Sequence, residues 1–231
     1  MALRLSDYSA SRPAPPRENP GAPVALHGRM KTFLHVGCGP QTQADIQQGF
    51  HTNEWHEVRF DIDPNVKPDI VGAMTDLSLI ATGSMDALYS SHNIEHVFAH
   101  EVPIALQEFH RVLKPEGFVV ITCPDIQAVC EAVAQDKLLE PLYVSASGPI
   151  APIDILYGHR ASVARGNPHM AHKCGFTYST LMRAFLDAGF ASIIGARRPA
   201  AFDLWLMAHK APRSAKFLQE AGPVYLPLAA C

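Results

Sequence analysis

A short apolar run that ends in a glycine turn constrains this chain more than any other stretch. Residues 32–36 are apolar and β-prone, which predicts a buried strand, and Gly37, Cys38 and Gly39 interrupt it. A polar, helix-compatible segment, residues 41–50, follows. Glycines let the backbone approach a ligand closely, and a helix that begins there presents unpaired N–H groups. The stretch therefore predicts a nucleotide-binding turn between a strand and a helix.

A carboxylate closes the next predicted strand. Residues 57–62 form a second β-prone run, and Asp61 lies near its end, about twenty residues after the glycine turn. At that spacing a carboxylate can accept hydrogen bonds from both hydroxyls of a ribose. Because Gly-x-Gly turns are common on their own, the pairing with Asp61 is what makes the nucleotide-binding interpretation specific.

Four segments resemble the motifs of class I (Rossmann-like) S-adenosylmethionine-dependent methyltransferases, in the same order. They are LHVGCGP (residues 34–40), VRFDIDP (58–64), MDALYSSHNIEHV (85–97) and EFHRVLKPEGFVVITCP (108–124). The resemblance covers residues 31–124 well and residues 175–210 more loosely. It implies S-adenosyl-L-methionine as the cofactor and methyl transfer as the activity.

The resemblance also implies the fold class, an α/β, doubly wound, mainly parallel sheet with an antiparallel closing strand. Its third-strand edge is predicted to be shortened, because residues 63–68 are too few for a crossover helix between parallel strands. Apolar positions at three- and four-residue steps predict a helix over residues 93–113. Further strands are predicted at residues 69–71, 86–90, 118–123, 191–196 and 202–208, and further helices at residues 125–136 and 178–188.

The chain divides into three stretches. Residues 1–28 are rich in proline and have little to bury, which predicts a flexible arm or a lid over the cofactor. Residues 29–211 form the predicted methyltransferase-like domain, with an insertion at residues 138–175 that proline and glycine interrupt. Residues 212–231 are interpreted as a C-terminal tail.

Two residues of the first motif depart from the family that it resembles. His35 stands where the family usually has an acidic residue, and histidine offers at most one acceptor nitrogen to the methionine ammonium. Gln41 stands where a third glycine is usual, which implies a bulkier floor beneath the cofactor. The two glycines that matter most for backbone approach are both present.

The resemblance places the cofactor's ribose on Asp61 and its methionine part on the glycine turn. Ala73 stands where an acidic residue often contacts the adenine, which leaves Met74 to pack on the ring and Asp76 as the nearest carboxylate. The complete set of predicted cofactor-binding residues is His35, Gly37, Cys38, Gly39, Asp61, Ile62, Met74, Asp76, Ser91 and His92.

Residues 92–96 spell H-x-x-E-H, a pattern with two interpretations. As an inverted zinc-peptidase motif, it would put His92 and His96 on one face of a helix, with Glu95 as the base. In the resemblance the same residues follow the fourth strand, with His92 over the reactive methyl and Glu95 and His96 holding the helix start. We favour the second interpretation and predict no metal ligands, because no third ligand stands out downstream; a zinc hydrolase stays a remote alternative.

The insertion supplies candidates for the acceptor side of the site. In the family, segments at this position cap the active site, which makes Tyr157, His159 and His172 catalytic candidates together with His92. An imidazole titrates near neutral pH, so His159 and His172 are candidate general bases. The structural alternative is a surface loop that is merely rich in histidine.

Composition narrows the partners and the compartment. A formal net charge of −3 without a cluster of lysine and arginine disfavours nucleic acid. Five scattered cysteines without a C-x-x-C pair indicate reduced thiols and a cytoplasmic location. No apolar run is long enough to span a membrane, and the first residues lack the apolar core of a signal peptide. The expected partner is a small-molecule substrate, while the oligomeric state stays open.

The predicted function is therefore methyl transfer to a small-molecule or peptidic acceptor. The same fold supports attack on the methionine side chain of the cofactor, so aminocarboxypropyl transfer or cyclisation, with release of methylthioadenosine, stays an alternative. A non-catalytic cofactor-binding partner of a larger assembly is the other class that the sequence leaves open.

Overall fold

The computed structural model describes residues 30–227, and a seven-stranded sheet forms its centre. The predicted arm or lid at residues 1–28 lies outside the described residues. The strands are β1 (Lys31–Val36), β2 (Trp55–Asp61), β3 (Ile70–Val71), β4 (Met85–Ser91), β5 (Leu113–Pro124), β6 (Tyr143–Ser145), β7 (Gly148–Ile150), β8 (Ser192–Arg198) and β9 (Asp203–His209). The helices are α1 (Val102–Val112), α2 (Ile126–Val133), α3 (Pro152–Tyr157), α4 (Arg160–Ala164), α5 (Tyr178–Asp187) and α6 (Ala215–Tyr225).

The order of strands in the sheet is β3-β2-β1-β4-β5-β9-β8, and the predicted fold is confirmed. Strands β1 to β5 run parallel, while β9 is antiparallel to both β5 and β8. The third-strand edge is short as predicted, since β3 has two residues and a single 3₁₀ turn, Pro64–Val66, precedes it. The chain leaves β1 toward β2 on one side and returns to β4 on the other. In such sheets, ligands bind at the carboxyl ends of the strands where the order reverses.

The two faces of the sheet carry separate apolar cores. Side chains alternate along β1, so that Leu34 and Val36 join one core with α1 and α5, and Phe33 joins the other. The second core contains Phe50 and Trp55, and it is closed by the C-terminal helix α6 and the residue that follows it, Leu226.

The predicted helix over residues 41–50 is wrong. The segment forms two 3₁₀ turns, Gln43–Asp45 and Gln48–Phe50. Side chains satisfy its polar groups instead of a helical ladder: the Gln43 N–H donates to Glu57 Oε2 at 2.8 Å, and the Gln43 amide donates to the Phe50 carbonyl at 2.5 Å. Phe50 is fully buried against Phe33 and Trp55, and this packing holds the segment in its irregular form.

The predicted helix over residues 93–113 is wrong in its first nine residues. The helix α1 begins at Val102, and a separate 3₁₀ turn, Ile94–His96, precedes it. Pro103 explains the late start, because it has no N–H to donate and its ring clashes with the carbonyl four residues earlier. Phe98, which the periodicity places on the core face, is 51 % exposed.

The predicted C-terminal tail at residues 212–231 contains a folded helix. The rings of Tyr225 in α6 lie 5.1 Å from Phe50 and 4.8 Å from Phe118, and Leu226 is 3 % exposed. The domain therefore extends at least to residue 227. No helix between residues 30 and 227 has the length and apolarity that crossing a membrane requires.

The end of β9 provides a prediction about stability and pH. His209 is 3 % exposed, and burial together with Arg213 lowers its pKa to about 4, against a smaller opposite effect of Glu116. The unfolded chain protonates this histidine near pH 6.5, so it binds more protons than the folded chain between pH 6.5 and 4. The free energy of unfolding should therefore fall by up to about 3 kcal/mol as the pH drops through that window.

Urea unfolding at a series of pH values measures this effect, with His209→Phe as the comparison. The His209 ring already packs against Phe118 and Phe217, and its Nε2 has no hydrogen-bond partner among the described residues. Phenylalanine should keep the packing and remove the titration, so the variant should lose less stability than the wild type on acidification. Parallel profiles for the two proteins would contradict the assignment.

Candidate cofactor and acceptor cleft

A cleft of about 390 Å³ opens at the carboxyl ends of β1, β2 and β4. One wall is the glycine turn after β1 together with the segment after β2, and the opposite wall comes from the insertion. Its lining includes Gly37, Gly39, Asp61, Ile62, Met74, His92, Asn93, His96, Asn167, His169, Met170 and Lys173. The position agrees with the topological rule for ligand sites in open α/β sheets.

The glycine turn has the backbone conformation that its sequence predicts. Gly37 and Gly39 both have positive φ, 67° and 52°, which other residues adopt only at a cost. A Cβ on Gly37 would lie 1.9 Å from Asn93 Nδ2, whereas a Cβ on Gly39 would meet no atom within 4 Å. Gly37 thus makes room for Asn93, a cleft residue that follows β4, and Gly39 leaves the floor of the cleft open.

Asp61 and Arg59 fix this turn from the neighbouring strand. Asp61 is 8 % exposed, and its carboxylate accepts hydrogen bonds from the N–H groups of Gly39 at 2.7 Å and Asp63 at 2.8 Å. The Arg59 guanidinium donates to the carbonyls of Gly39 at 2.6 Å, Gln41 at 3.2 Å and Lys67 at 2.9 Å. Arg59 therefore ties the glycine turn, and Gln41 at the start of the segment predicted to be a helix, to the loop after β2.

His35 does not line the cleft. It is fully buried beneath the turn, and its Nδ1 lies 2.7 Å from Glu57 Oε1. The other oxygen of Glu57 accepts the Gln43 N–H, so a carboxylate still supports the turn, although it comes from β2 instead of β1. This arrangement accounts for the histidine at a position where the family usually carries an acid.

The remaining predicted cofactor residues divide between cleft and surroundings. Ile62 and Met74 line the cleft with Gly37, Gly39 and Asp61, whereas Cys38, Asp76 and Ser91 do not. Burial raises the pKa of the Cys38 thiol to about 11. Hydrogen bonds from Ser78 lower the pKa of the Asp76 carboxyl, which lies outside the cleft as the cap of a local turn.

His92 faces the cleft from the end of β4. Its φ of 48° is unusual for a residue with a side chain, and its side chain is 48 % exposed. Its Nδ1 lies 3.6 Å from Glu95 Oε1. Burial lowers the pKa of His92, but the Glu95 carboxylate outweighs that effect and the net direction is upward. The helix that the zinc-peptidase interpretation of H-x-x-E-H requires is absent, because His92 precedes the 3₁₀ turn that contains His96.

The insertion contributes to the cleft through residues other than the predicted ones. Tyr157 is 66 % exposed, and neither Tyr157, His159 nor His172 lines the cleft. The His159 ring bonds to Ser162 at 2.8 Å, and the His172 ring bonds to the Ile155 carbonyl at 2.6 Å. The insertion residues that face the cleft are Asn167, His169, Met170 and Lys173.

Sequence reasoning missed several of these residues for different reasons. The charged residues Glu57, Arg59 and Asp61 occupy alternate positions of β2, and that alternation was a readable signal for a shared polar face. For His169 and Lys173 the sequence shows only that they belong to a histidine-rich stretch. No spacing rule distinguishes them from His172.

Comparisons with known proteins agree with the fold and with the glycine turn. The family described as "Methyltransferase domain" matches residues 34–121. The CurJ carbon methyltransferase is 11 % identical over 82 % of this chain and 50 % of its own, with a TM-score of 0.54. An S-adenosylmethionine-dependent methyltransferase from Methanosarcina mazei is 15 % identical over 80 % of this chain and 95 % of its own, with a TM-score of 0.51. A putative one from Listeria monocytogenes is 16 % identical over 79 % and 90 %, with a TM-score of 0.50.

Residues 34–121 of this chain therefore match a methyltransferase domain, and the sheet has the fold of the S-adenosylmethionine-dependent methyltransferases compared above. The chain spans half the length of the CurJ structure, and no curated protein sequence matches it.

Proposed function

We propose that this protein transfers the methyl group of S-adenosylmethionine to a small-molecule or peptidic acceptor that enters between the glycine turn and the insertion. The observation that carries the proposal is the continuity of the cleft. A single cavity is lined by the glycine turn and Asp61 on one side and by His169 and Lys173 on the other. A cofactor held on the first side would therefore face an acceptor held on the second.

The residues on the first side fit the cofactor. The volume of about 390 Å³ lies within the range of small-ligand sites. Gly39 leaves space where any other side chain would project, and the Asp61 carboxylate is placed to bind ribose hydroxyls. Ile62 and Met74 offer an apolar surface for the adenine. When bound, the cofactor supplies a methyl group made electrophilic by its sulfonium.

The residues on the second side define what the acceptor meets. Lys173 and the imidazoles of His92 and His169 line this part of the cleft, and the Lys173 Nζ also lies 4.9 Å from the centre of the Phe98 ring. Cationic and imidazole groups favour an acceptor that carries oxygen or anionic groups. His169 takes over the role of acceptor-side base that the sequence assigned to His159 and His172, because it is the exposed imidazole of the insertion that faces the cleft.

The by-product of the reaction tests this proposal. Purified protein incubated with S-adenosylmethionine and candidate acceptors should form S-adenosylhomocysteine only when an acceptor is present, as measured by chromatography of the nucleosides. Asp61→Ala is the control variant, since it should raise the cofactor concentration needed for half-maximal turnover by roughly ten- to a hundredfold through loss of a charge-assisted contact. Enzyme-dependent methylthioadenosine without an acceptor would replace methyl transfer by cyclisation.

We also propose a cytoplasmic location and a partner set without nucleic acid or membrane. The support is compositional and local. Cys38, Cys123, Cys130 and Cys174 are free thiols, and the net charge of −3 comes without a basic cluster.

A further inference from the structure

We propose that Glu95, His96 and His172 form a binding site for one divalent transition-metal ion of the zinc type. The three residues come from two distant segments, the 3₁₀ turn after β4 and the end of the insertion. Each offers one ligand atom, and the three ligand atoms all lie within 4.8 Å of one another. Two imidazoles and one carboxylate are a donor set that binds zinc and similar ions in proteins.

The first observation that points to a cation is the state of Glu95. Its side chain is 1 % exposed, and neither carboxylate oxygen has a hydrogen-bond partner between residues 30 and 227. The nearest cationic group is His92, whose Nδ1 is 3.6 Å away, beyond hydrogen-bonding distance. Buried carboxylates are normally paired, hydrogen-bonded or bound to metal; Glu95 has only a long ion pair with the half-exposed His92, and both of its oxygens lack a hydrogen bond among residues 30–227.

The second observation is the orientation of both imidazoles. His96 Nδ1 lies 3.1 Å from the Ala171 carbonyl, and His172 Nδ1 lies 2.6 Å from the Ile155 carbonyl. Because a carbonyl oxygen only accepts, each Nδ1 must carry the proton, and each Nε2 then presents a lone pair. Metal-binding histidines typically donate their other N–H to a carbonyl or carboxylate in this way.

The third observation is that the backbone holds the two segments together. The Glu95 carbonyl accepts from the N–H groups of Lys173 at 2.8 Å and Cys174 at 3.3 Å, and the Cys174 thiol lies 3.4 Å from the Ile94 carbonyl. Ligand atoms around a tetrahedral zinc ion are about 3.4 Å apart, given bonds of about 2.0–2.1 Å. The three atoms, which lie within 4.8 Å of one another, have to approach by up to about 1.4 Å to reach that separation.

The site differs from the zinc-peptidase interpretation of residues 92–96, because His172 takes the place of His92. His96 also lines the cleft, so an ion bound by His96 would lie beside the acceptor side of the cleft. On the basis of the proposed methyl transfer, an ion there would bind an oxygen of the acceptor as a Lewis acid. The metal site itself is independent of that role.

The test is metal binding to the full-length protein without an affinity tag. The protein is stripped with a chelator, dialysed and titrated with ZnCl₂ in a calorimeter, and its metal content after equilibration is measured by mass spectrometry. We expect one zinc ion per chain, with an affinity at least a hundredfold lower in Glu95→Gln and in His172→Ala. The matched control is His100→Ala, an exposed histidine close in sequence, which should bind zinc as the wild type does.

The outcomes distinguish this proposal from the proposed function. Absence of stoichiometric zinc uptake by the stripped wild type would overturn the site, even if S-adenosylhomocysteine is formed. Equal zinc affinity in the wild type and Glu95→Gln would overturn it as well. Circular dichroism of each variant shows whether a loss of binding is a loss of fold. The d–d spectrum of the Co²⁺-substituted wild type reports the coordination geometry of the site. A tetrahedral Co²⁺ spectrum would support the site, and an octahedral one identical to Co²⁺ in buffer would contradict it.

Discussion

Gly37→Ala should weaken the binding of S-adenosylmethionine about ten- to a hundredfold, or about 1.4–2.7 kcal/mol. The added Cβ would lie 1.9 Å from Asn93 Nδ2 and 2.2 Å from Asn93 Cγ, so the Asn93 side chain has to leave its position in the cleft wall. The φ of 67° at Gly37 adds backbone strain of about 1–2 kcal/mol for any other residue. Calorimetric titration with the cofactor measures the change.

Gly83→Ala separates the clash with Asn93 from the backbone strain of a positive φ. Gly83 has a nearly identical φ of 65°, but a Cβ there would meet no atom within 4 Å, and Gly83 does not line the cleft. Its variant should therefore lose stability by the same backbone strain and keep its affinity for the cofactor. If both variants bind the cofactor as the wild type does, the glycine turn is not the place where the cofactor lies.

The elements that the sequence predicted well are those that local pattern determines. Apolar runs predicted the strands around the glycine turn, and the spacing from that turn to Asp61 predicted the carboxylate at the end of β2, which lines the cleft. The shortened third-strand edge followed from the small number of residues available. Each of these inferences needs only residues that are close together in the chain.

The errors occur where distant residues compete with local preference. Residues 41–50 have a helix-compatible composition, but Glu57 takes the backbone N–H of Gln43 and Phe50 is drawn into the core. These long-range contacts outweigh a weak intrinsic propensity. The interpretation of residues 212–231 as a tail failed for the same reason. Helix α6 covers a sheet face on which the segment between β1 and β2 forms no α-helix. The residues near α6 in the sequence carry no information about that face.

The site shows the same division between local and distant information. Gly37, Gly39, Asp61, Ile62, Met74 and His92 were predicted from motifs, and all of them line the cleft. In the insertion, the sequence shows that histidines are present but not which of them face the cleft. His159 and His172 were therefore predicted instead of His169. Gly158 illustrates the missing information, because a Cβ on it would lie 2.0 Å from the Met170 carbonyl oxygen, a close approach between two parts of the insertion that the sequence does not show.

Leu226→Ala should lower the free energy of unfolding by about 2–5 kcal/mol, although residue 226 lies well outside the predicted domain at residues 29–211. Leu226 is 3 % exposed and belongs to the core that contains Phe50 and Trp55. Its removal leaves a cavity on the face of the sheet that α6 covers. Helix α6 lies there instead of a helix between β1 and β2. For a chain of this size, the melting temperature should fall by about 2–4 °C for each kcal/mol lost.

Urea unfolding followed by circular dichroism measures the loss, and Val224→Ala is the matched control. Val224 lies two residues earlier and is 49 % exposed, so its truncation should change the stability by no more than about 0.5 kcal/mol. Because the core closed by Leu226 includes Phe33 and Tyr89, which flank the buried His35, weakening it should also loosen the support of the glycine turn. Cofactor affinity should then fall in Leu226→Ala and stay unchanged in Val224→Ala. Equal stability of the two variants would show that the C-terminal segment is the tail that its sequence resembles, and that the sheet face beneath it is stable without cover.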